Sequence, residues 1–321
     1  MSDAQALSQA PTERRGPAAP LLLLVGSVAL YVAVALSTGQ TKMLEPDGVI
    51  GLLQRMVALG IVALGQTFVI LAGSIDLSVA NMISVAAVLA SYIMQGRPEM
   101  MAPAVAIVLM VSALVGAVNG ALISKFQVNP LIATLGVGLI LQGLLSASFT
   151  DFAGSVPQEF QAVAYGAFGI VPYSVAGLFG LAAAASLLLG TTRFGAHLYA
   201  VGGNAEGARL AGIRTDLVTI GAHVLCSILA GVSGLYLASR LRSGAPWVGR
   251  DGVYDLESIA VVVIGGLGAA GLAIWLVASR DQDGRLSEWW WLVVSMVLAV
   301  RYLFKMAVVA LYPPPTTAGR P

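Results

Sequence analysis

Hydrophobic runs long enough to cross a bilayer follow one another along most of the chain, separated by short polar interruptions. A helix needs about 20 apolar residues to span the hydrocarbon. Runs that meet this, or nearly so, fall at 20–37, 51–72, 79–95, 102–124, 130–149, 170–190, 216–239 and 254–279. A further apolar region at 289–312 has room for one or two more helices. The pattern predicts an all-α polytopic membrane protein, a bundle of eight to ten transmembrane helices. Pro or charge marks the connections, as in QGRPEM, SKFQVNP and FTDFAGSVPQEF. Gly116, Asn119 and Gly120 lie in one run, and Gly221, Gly231, Ser233 and Gly234 in another. Small residues let helices approach closely, so both runs are expected inside the bundle. No internal repeat stands out.

Composition sharpens this picture. The chain has 321 residues, of which 58% are hydrophobic and 10% charged, with a mean hydropathy of +0.87. Soluble domains carry about 25% charged residues, and a membrane β-barrel would show short alternating segments instead. A formal net charge of +1 gives no reason to expect a nucleic-acid partner. The single cysteine, Cys226, has no internal disulfide partner and lies in an apolar run, where packing is its expected role. Residues 1–19 are polar and rich in Pro and Ala, which predicts a disordered cytosolic tail rather than a cleaved signal. Residues 20–312 form one transmembrane domain, followed by a tail at 313–321.

Charge does not orient the bundle. With the N-terminus in the cytosol, Arg14, Arg15, Lys125, Arg193, Arg209 and Arg214 fall inside, and Lys42, Arg55, Arg97, Arg240, Arg242 and Arg250 fall outside. The two sets are equal, so the positive-inside rule makes no choice.

Two polar stretches interrupt the pattern. GSIDLSVAN, residues 73–81, sits between oily runs. A lone carboxylate in hydrocarbon costs at least about 3 kcal/mol. Either these residues make a solvated turn between two spans, or Gly73, Asp76, Ser78 and Asn81 form a helix break inside the protein, near a translocation path. Gly and Ser favour such a break, provided neighbours satisfy the freed backbone groups.

The second stretch, residues 193–217, is the longest polar segment between spans. Gly202 and Gly203 give a turn, Asn204 an N-cap, and Ala205–Leu210 a short helix with Glu206 in its first turn. Gly212 ends that helix. With Leu210 and Ile213 on a loop facing water, the segment either docks on a partner or lies on the membrane surface.

A third stretch, 242–266, joins a charged, Gly-rich loop to an apolar helix that carries Asp255 and Glu257 near its start. Neither these acids nor His197 and His223 show the spacing of a catalytic or metal site. None of the three lysines, Lys42, Lys125 and Lys305, lies in a phosphate-cradling loop. If ATP drives this protein, another chain binds it. No string of intramembrane acids suggests a proton relay.

ALGQTFVILAGSIDLSVANMISVAAVLA resembles the signature of permease subunits of ribose/xylose/arabinose-type ATP-binding-cassette importers. NPLIATLGVGLILQGL, FGAHLYAVGGNAEGARLAGI and YDLESIAVVVIGG resemble later blocks of that family, so the resemblance covers roughly 50–266. It implies a bacterial inner-membrane subunit that is not an enzyme and holds no cofactor. Its partners would be an ATPase subunit, a periplasmic or extracellular sugar-binding protein, membrane lipid and a second copy of the chain. The expected activity is import of a monosaccharide, a pentose or related sugar, by alternating access. The resemblance also implies that Gly203, Asn204, Glu206, Arg209, Leu210 and Gly212 form the ATPase-coupling loop, which decides for docking. Other readings are a related permease for branched-chain amino acids or nucleosides, and a stand-alone secondary carrier.

Ser74 and Ala80 replace glycines of the family pattern. After Gly266 the family's second Gly-rich turn is missing, and RDQDGR and WWW intervene. Residues 267–321 are therefore expected to be divergent or to come from a shifted reading frame.

Overall fold

The computed structural model describes residues 18–267. Helices α1 (Ala18–Ser37), α2 (Pro46–Leu71), α3 (Val79–Met94), α4 (Met101–Ser124) and α5 (Pro130–Ser148) come first. The short α6 (Gln158–Tyr165) leads into a small antiparallel hairpin of β1 (Ala167–Phe168) and β2 (Val171–Pro172). Next come α7 (Tyr173–Thr191), α8 (Arg193–Gly203), α9 (Ala205–Leu210), α10 (Thr215–Leu241), α11 (Val248–Asp251) and α12 (Tyr254–Leu267). Eight of these helices coincide with the hydrophobic runs, and α12 reaches the edge of the described residues. Helices α2, α5, α7 and α10, and α4 with the turn before it, are each long and apolar enough to cross a membrane. The region 289–312, the atypical tail and residues 1–17 lie outside the described residues.

Local chemistry sets the ends of the helices. Pro46 opens α2 with Asp47 in its first turn. Pro130 opens α5, where the Asn129 side chain accepts a hydrogen bond from Leu131 N at 3.0 Å. Proline lacks the N–H that a first turn would leave unsatisfied, and an Asn cap takes up another.

Helix α10 is the central post, packed on α2, α3 and α4. Its contacts give the helix directions. Ser233 donates to Ala58 O at 3.1 Å, while Gly65 lies on Cys226, so α2 runs antiparallel to α10. Gly116 lies on His223 and Val224, Gly120 on Ile220, and Ser112 beside Gly231, so α4 is antiparallel too. Gly234 lies on Ile83 and Ala86 of α3. Apolar burial gives little drive between helices already in lipid, so close approach at small residues holds them instead. A side-chain carbon built at Gly116, Gly120 or Gly234 would run into the neighbouring helix backbone.

These directions put residues 73–78 and 193–214 toward one face of the bundle, called here the α9 face. The loops 95–100 and 149–157 and the start of 242–253 meet at the other, the hairpin face. There Gly96 N donates to Ser155 O, Val156 N to Arg242 O, and Ala153 bridges Gly244. Large apolar side chains of the outer helices point away from the bundle, among them Met110, Leu114, Leu139, Ile140 and Phe179. Such surface suits hydrocarbon.

Overpacking a tight contact costs about 1–3 kcal/mol, and more when backbone must move. Gly116→Val is expected to lower the melting temperature and folded yield of the purified protein. Gly136→Val, on a helix face with nothing within 4 Å, is the control and is expected to behave as wild type in a thermal-unfolding assay.

Candidate functional site

The break between α2 and α3 is a polar knot, not a solvated turn. Gly73 takes φ +75°, a left-handed conformation that glycine adopts without cost, and turns the chain out of α2. Residues 74–78 then run through the bundle before α3 begins. Asp76 and Ser78 are fully buried and Ser74 nearly so.

The polar side chains there answer one another, although Asn119 Oδ1 is buried without a hydrogen-bond partner. Asp76 Oδ1 accepts from Ser78 N at 2.9 Å and from Ser78 Oγ at 2.6 Å. Asp76 Oδ2 lies 3.2 Å from His223 Nδ1 on α10. Asn119 Nδ2 on α4 approaches Oδ2 at 3.3 Å and donates to Ser78 Oγ at 2.8 Å. The backbone is held as well. Gln66 Nε2 on α2 donates to Asp76 O at 2.6 Å, and Leu77 N donates to Thr134 Oγ1 on α5 at 3.0 Å. Four helices therefore grip one short segment. A carboxylate can only accept, so with Asp76 ionised His223 Nδ1 carries a proton and donates it. His223 Nε2 faces Ser74 Oγ at 3.0 Å.

Ser74, His223 and Asp76 follow the order of a nucleophilic triad. Their burial leaves no room for a substrate beside the serine, so this geometry locks helices together rather than performing chemistry. Among the described residues no group of three or more His, Cys, Asp or Glu could hold a metal ion.

The second feature is an exposed elbow on the α9 face. Thr192 Oγ1 caps α8 by accepting from Gly195 N at 3.2 Å. Asn204 Oδ1 caps α9 by accepting from Gly207 N at 2.9 Å. Gly212, at φ +84°, ends the turn. Arg209 donates to Glu206 at 2.8 Å, and this carboxylate holds the guanidinium pKa above its ordinary value. Gly203, Asn204, Glu206, Arg209, Leu210 and Gly212 are all exposed, and Leu210 keeps 80% of its surface free. Ala208 points inward and is buried.

Elbow and knot touch. Gly202 packs on the Leu71 carbonyl at the end of α2 and lies within 4 Å of where a side chain on Gly73 would stand. Asn81, one turn into α3, lies against Gly138 of α5. The residues singled out in 73–81 and 203–212 thus form two adjoining clusters.

The chain matches the family described as branched-chain amino acid transport system / permease component over residues 48–302. The chain belongs to this permease family. The chain is 34% identical over 252 residues to the ribose import permease protein RbsC of Escherichia coli K12, covering 76% of the chain and 77% of the relative. It is 31% identical over 266 residues to the L-arabinose ABC transporter permease protein AraH of Azospirillum brasilense, covering 82% and 77%. It is 32% identical over 231 residues to the galactose/methyl galactoside import permease protein MglC of Salmonella typhimurium, covering 66% and 68%. No solved structure matches the chain. Family and apolar helices together make this permease a multi-pass protein of the bacterial cytoplasmic membrane.

Sequence reasoning singled out Asp76 and Ser78 but missed His223, Asn119, Gln66 and Thr134. His223 looked isolated because its partner lies 147 residues away in sequence. The available signal was that Asn119 and His223 each interrupt a small-residue run expected inside the bundle.

Removing one member of a buried pair costs about 3–5 kcal/mol. Asp76→Ala is expected to destabilise the purified permease by that amount. Asp151→Ala, in an exposed loop, is expected to cost under about 1 kcal/mol. Combining Asp76→Ala with His223→Ala should cost about 0.5–3 kcal/mol less than the two single changes added together. Chemical-denaturation curves in detergent check all three.

Proposed function

We propose that the chain is the membrane-spanning subunit of an ATP-binding-cassette importer for a monosaccharide, driven by ATP hydrolysis on a separate subunit. The names of the relatives, ribose, arabinose and galactose permeases, support the substrate class. The α9 elbow carries the coupling reading: a capped helix that exposes Leu210 to 80% while it packs on α8 and α10, and α8 ends at Gly202 against the end of α2. A helix that only filled space would turn its leucine inward.

In this reading the elbow faces the cytosol and seats in a groove of the ATPase. Leu210 supplies apolar anchoring, and Glu206 and Arg209 set its orientation. ATP-driven approach of two ATPases moves two elbows, one on each copy of a permease homodimer. The push passes through Gly202 to the end of α2 and Gly73, and from there to the knot. Four helices meet at the knot, so a displacement there tilts them together. That is the mechanical requirement of alternating access. A binding protein would deliver sugar at the hairpin face. Gly73, Asp76, Ser78 and Asn81 serve here as the joint that transmits movement, with Asp76 and Ser78 out of contact with any solute in the state described.

The family's printed description favours one rival, import of a branched-chain amino acid. Uptake by the reconstituted permease, ATPase and binding protein decides between them: labelled ribose, arabinose or galactose should enter vesicles with ATP, and leucine should not.

Burying one leucine is worth about 1.5–3 kcal/mol, a tenfold or larger effect on assembly. Leu210→Asp is expected to leave the permease inserted in the membrane but to lower co-purification with the ATPase at least tenfold. A cysteine at Leu210 or Glu206 should crosslink to the ATPase, and one at the exposed Ile170 of the hairpin should not. Normal assembly and uptake with Leu210→Asp would instead assign α9 to the membrane surface.

A further inference from the structure

The chain does not leave the bundle when α10 ends. After Leu241 it turns at Arg242, which has φ +62°, and runs back down along α3. Gly244 lies on Val88 and Ser91 of α3. Gly249 lies on Ala80 and receives Ser84, whose Oγ accepts from Gly249 N at 2.9 Å. Helix α11 packs on α3, and α12 begins from this depth.

Two rulers give the depth. Ile83 and Ala86 rest on Gly234, seven residues short of Leu241. At 1.5 Å per residue this level is about 10 Å inside α10, and Ala80 is about 6 Å deeper. Independently, Ser233 bonds Ala58, and the nearby Gly60 touches Leu178, five residues into α7. The level of Gly60 is about 8 Å inside α7 and that of Ala58 about 3 Å less, which puts Ala80 about 11 Å in, against about 16 Å by the first ruler. The hydrocarbon is about 30 Å thick, so α11 reaches close to its middle.

The sequence at this depth is RDGVYDLE, with Arg250, Asp251, Asp255 and Glu257 in eight residues. Ionisable groups at the middle of a bilayer sit in protein or against water, and they mark pathways. Irregular backbone at that depth obeys the same limit. Asp255 and Glu257 are half-buried. Arg250 and Asp251 keep 57% and 59% of their side-chain surface free, although Arg250 Nε meets Asp251 Oδ1 at 3.3 Å. Trp247 begins the same turn, three and four positions before them, with its ring edge-on to Phe152 at 5.3 Å between centroids.

We propose that Arg250 and Asp251, with Trp247 beside them, contact a neutral polyhydroxyl substrate as it crosses the middle of the membrane. The proposal rests on the sugar-importer reading and names the residues that would recognise the sugar. A guanidinium presents fixed donors and a carboxylate presents acceptors, which suits hydroxyl groups that both accept and donate. The two charges cancel, so the pair does not attract a net ion. An indole offers a flat apolar face to the C–H side of a sugar ring.

The test uses the whole transporter in proteoliposomes: permease, ATPase subunit and binding protein. Asp251→Asn and Arg250→Gln should lower ribose, arabinose or galactose uptake at least tenfold. Binding-protein-stimulated ATP hydrolysis should stay within twofold of wild type, showing intact assembly. In parallel, a cysteine at Asp251 should react with a charged, membrane-impermeant maleimide, and saturating sugar should slow that reaction severalfold. The wild-type chain is the blank, because its single cysteine, Cys226, is buried. Uptake within twofold of wild type for both variants overturns the contact. A cysteine at 251 that never reacts overturns the path and points to packing against another subunit or lipid. Protection by leucine but not by sugar overturns the substrate class. If the wild-type assembly imports no sugar while the cysteine at 251 reacts, the importer reading fails and the water-lined path stands.

Discussion

One carboxylate placed where water does not reach governs this bundle. Burying Asp76 is tolerable only if donors converge on it, and the donors come from different places: Ser78 from its own turn, Asn119 from α4 and His223 from α10. Once they converge, α4 and α10 cannot slide past the break without leaving a charge unpaired in a medium of low dielectric. The small residues follow from this demand. His223 and Asn119 reach the carboxylate because Gly116 and Gly120 let α4 lie against the backbone of α10. The knot fixes the register, and the glycines supply the van der Waals contact.

A buried polar lock around a carboxylate is a poor way to gain stability, because desolvation consumes much of the attraction. It is a good way to make an arrangement discrete. Apolar helix faces in lipid can creep by fractions of a turn at little cost, whereas hydrogen bonds of about 3 Å either hold or break. The alternating access proposed for this permease would draw on that distinction. The position of the lock also matters. It sits one turn of chain from Gly73, and Gly73 adjoins Gly202 of the elbow. A load on α9 therefore reaches the polar contacts through backbone against backbone, without a flexible side chain between to absorb it.

The hydrophobic pattern exposed most of the fold, because a helix in a bilayer has a length requirement that apolar runs display directly. Caps were legible for the same local reason: Asn204 and Gly212 act on neighbours two or three residues away. The elbow's orientation was less legible. Ala208 and Leu210 are both apolar, and only packing on α8 and α10 determines that the first turns in and the second out. The knot was half legible. Asp76 and Ser78 lie close in sequence and stand out against an oily background, but His223, Asn119, Gln66 and Thr134 answer them from other helices, and no local rule links position 76 to position 223. The return of residues 242–253 into the bundle was invisible. A Gly-rich charged stretch looks like a solvent loop, and it becomes a membrane segment only because Ser84 and the small Ala80 on α3 accept its backbone.

The break and the returning segment meet on α3. The break delivers the chain to Val79 from the α9 face, and the returning loop brings Gly249 to Ala80 and Ser84 from the hairpin face. The first is non-helical and the second makes the single turn of α11, and they satisfy their polar groups differently. Residues 74–78 turn inward and bury their charge against four helices. Residues 247–251 set the Gly249 backbone against Ala80 and Ser84 of α3, pack Val248 on the core, and leave Arg250 and Asp251 outward. Nothing in the helix-forming tendency of either stretch requires this division of labour; the neighbours do. Where partners surround a segment, its charge becomes structure, and where one side stays open, its charge is left to meet whatever passes. Since α3 begins at the first and carries the second on its flank, a tilt of α3 that strains the knot must also move the exposed pair.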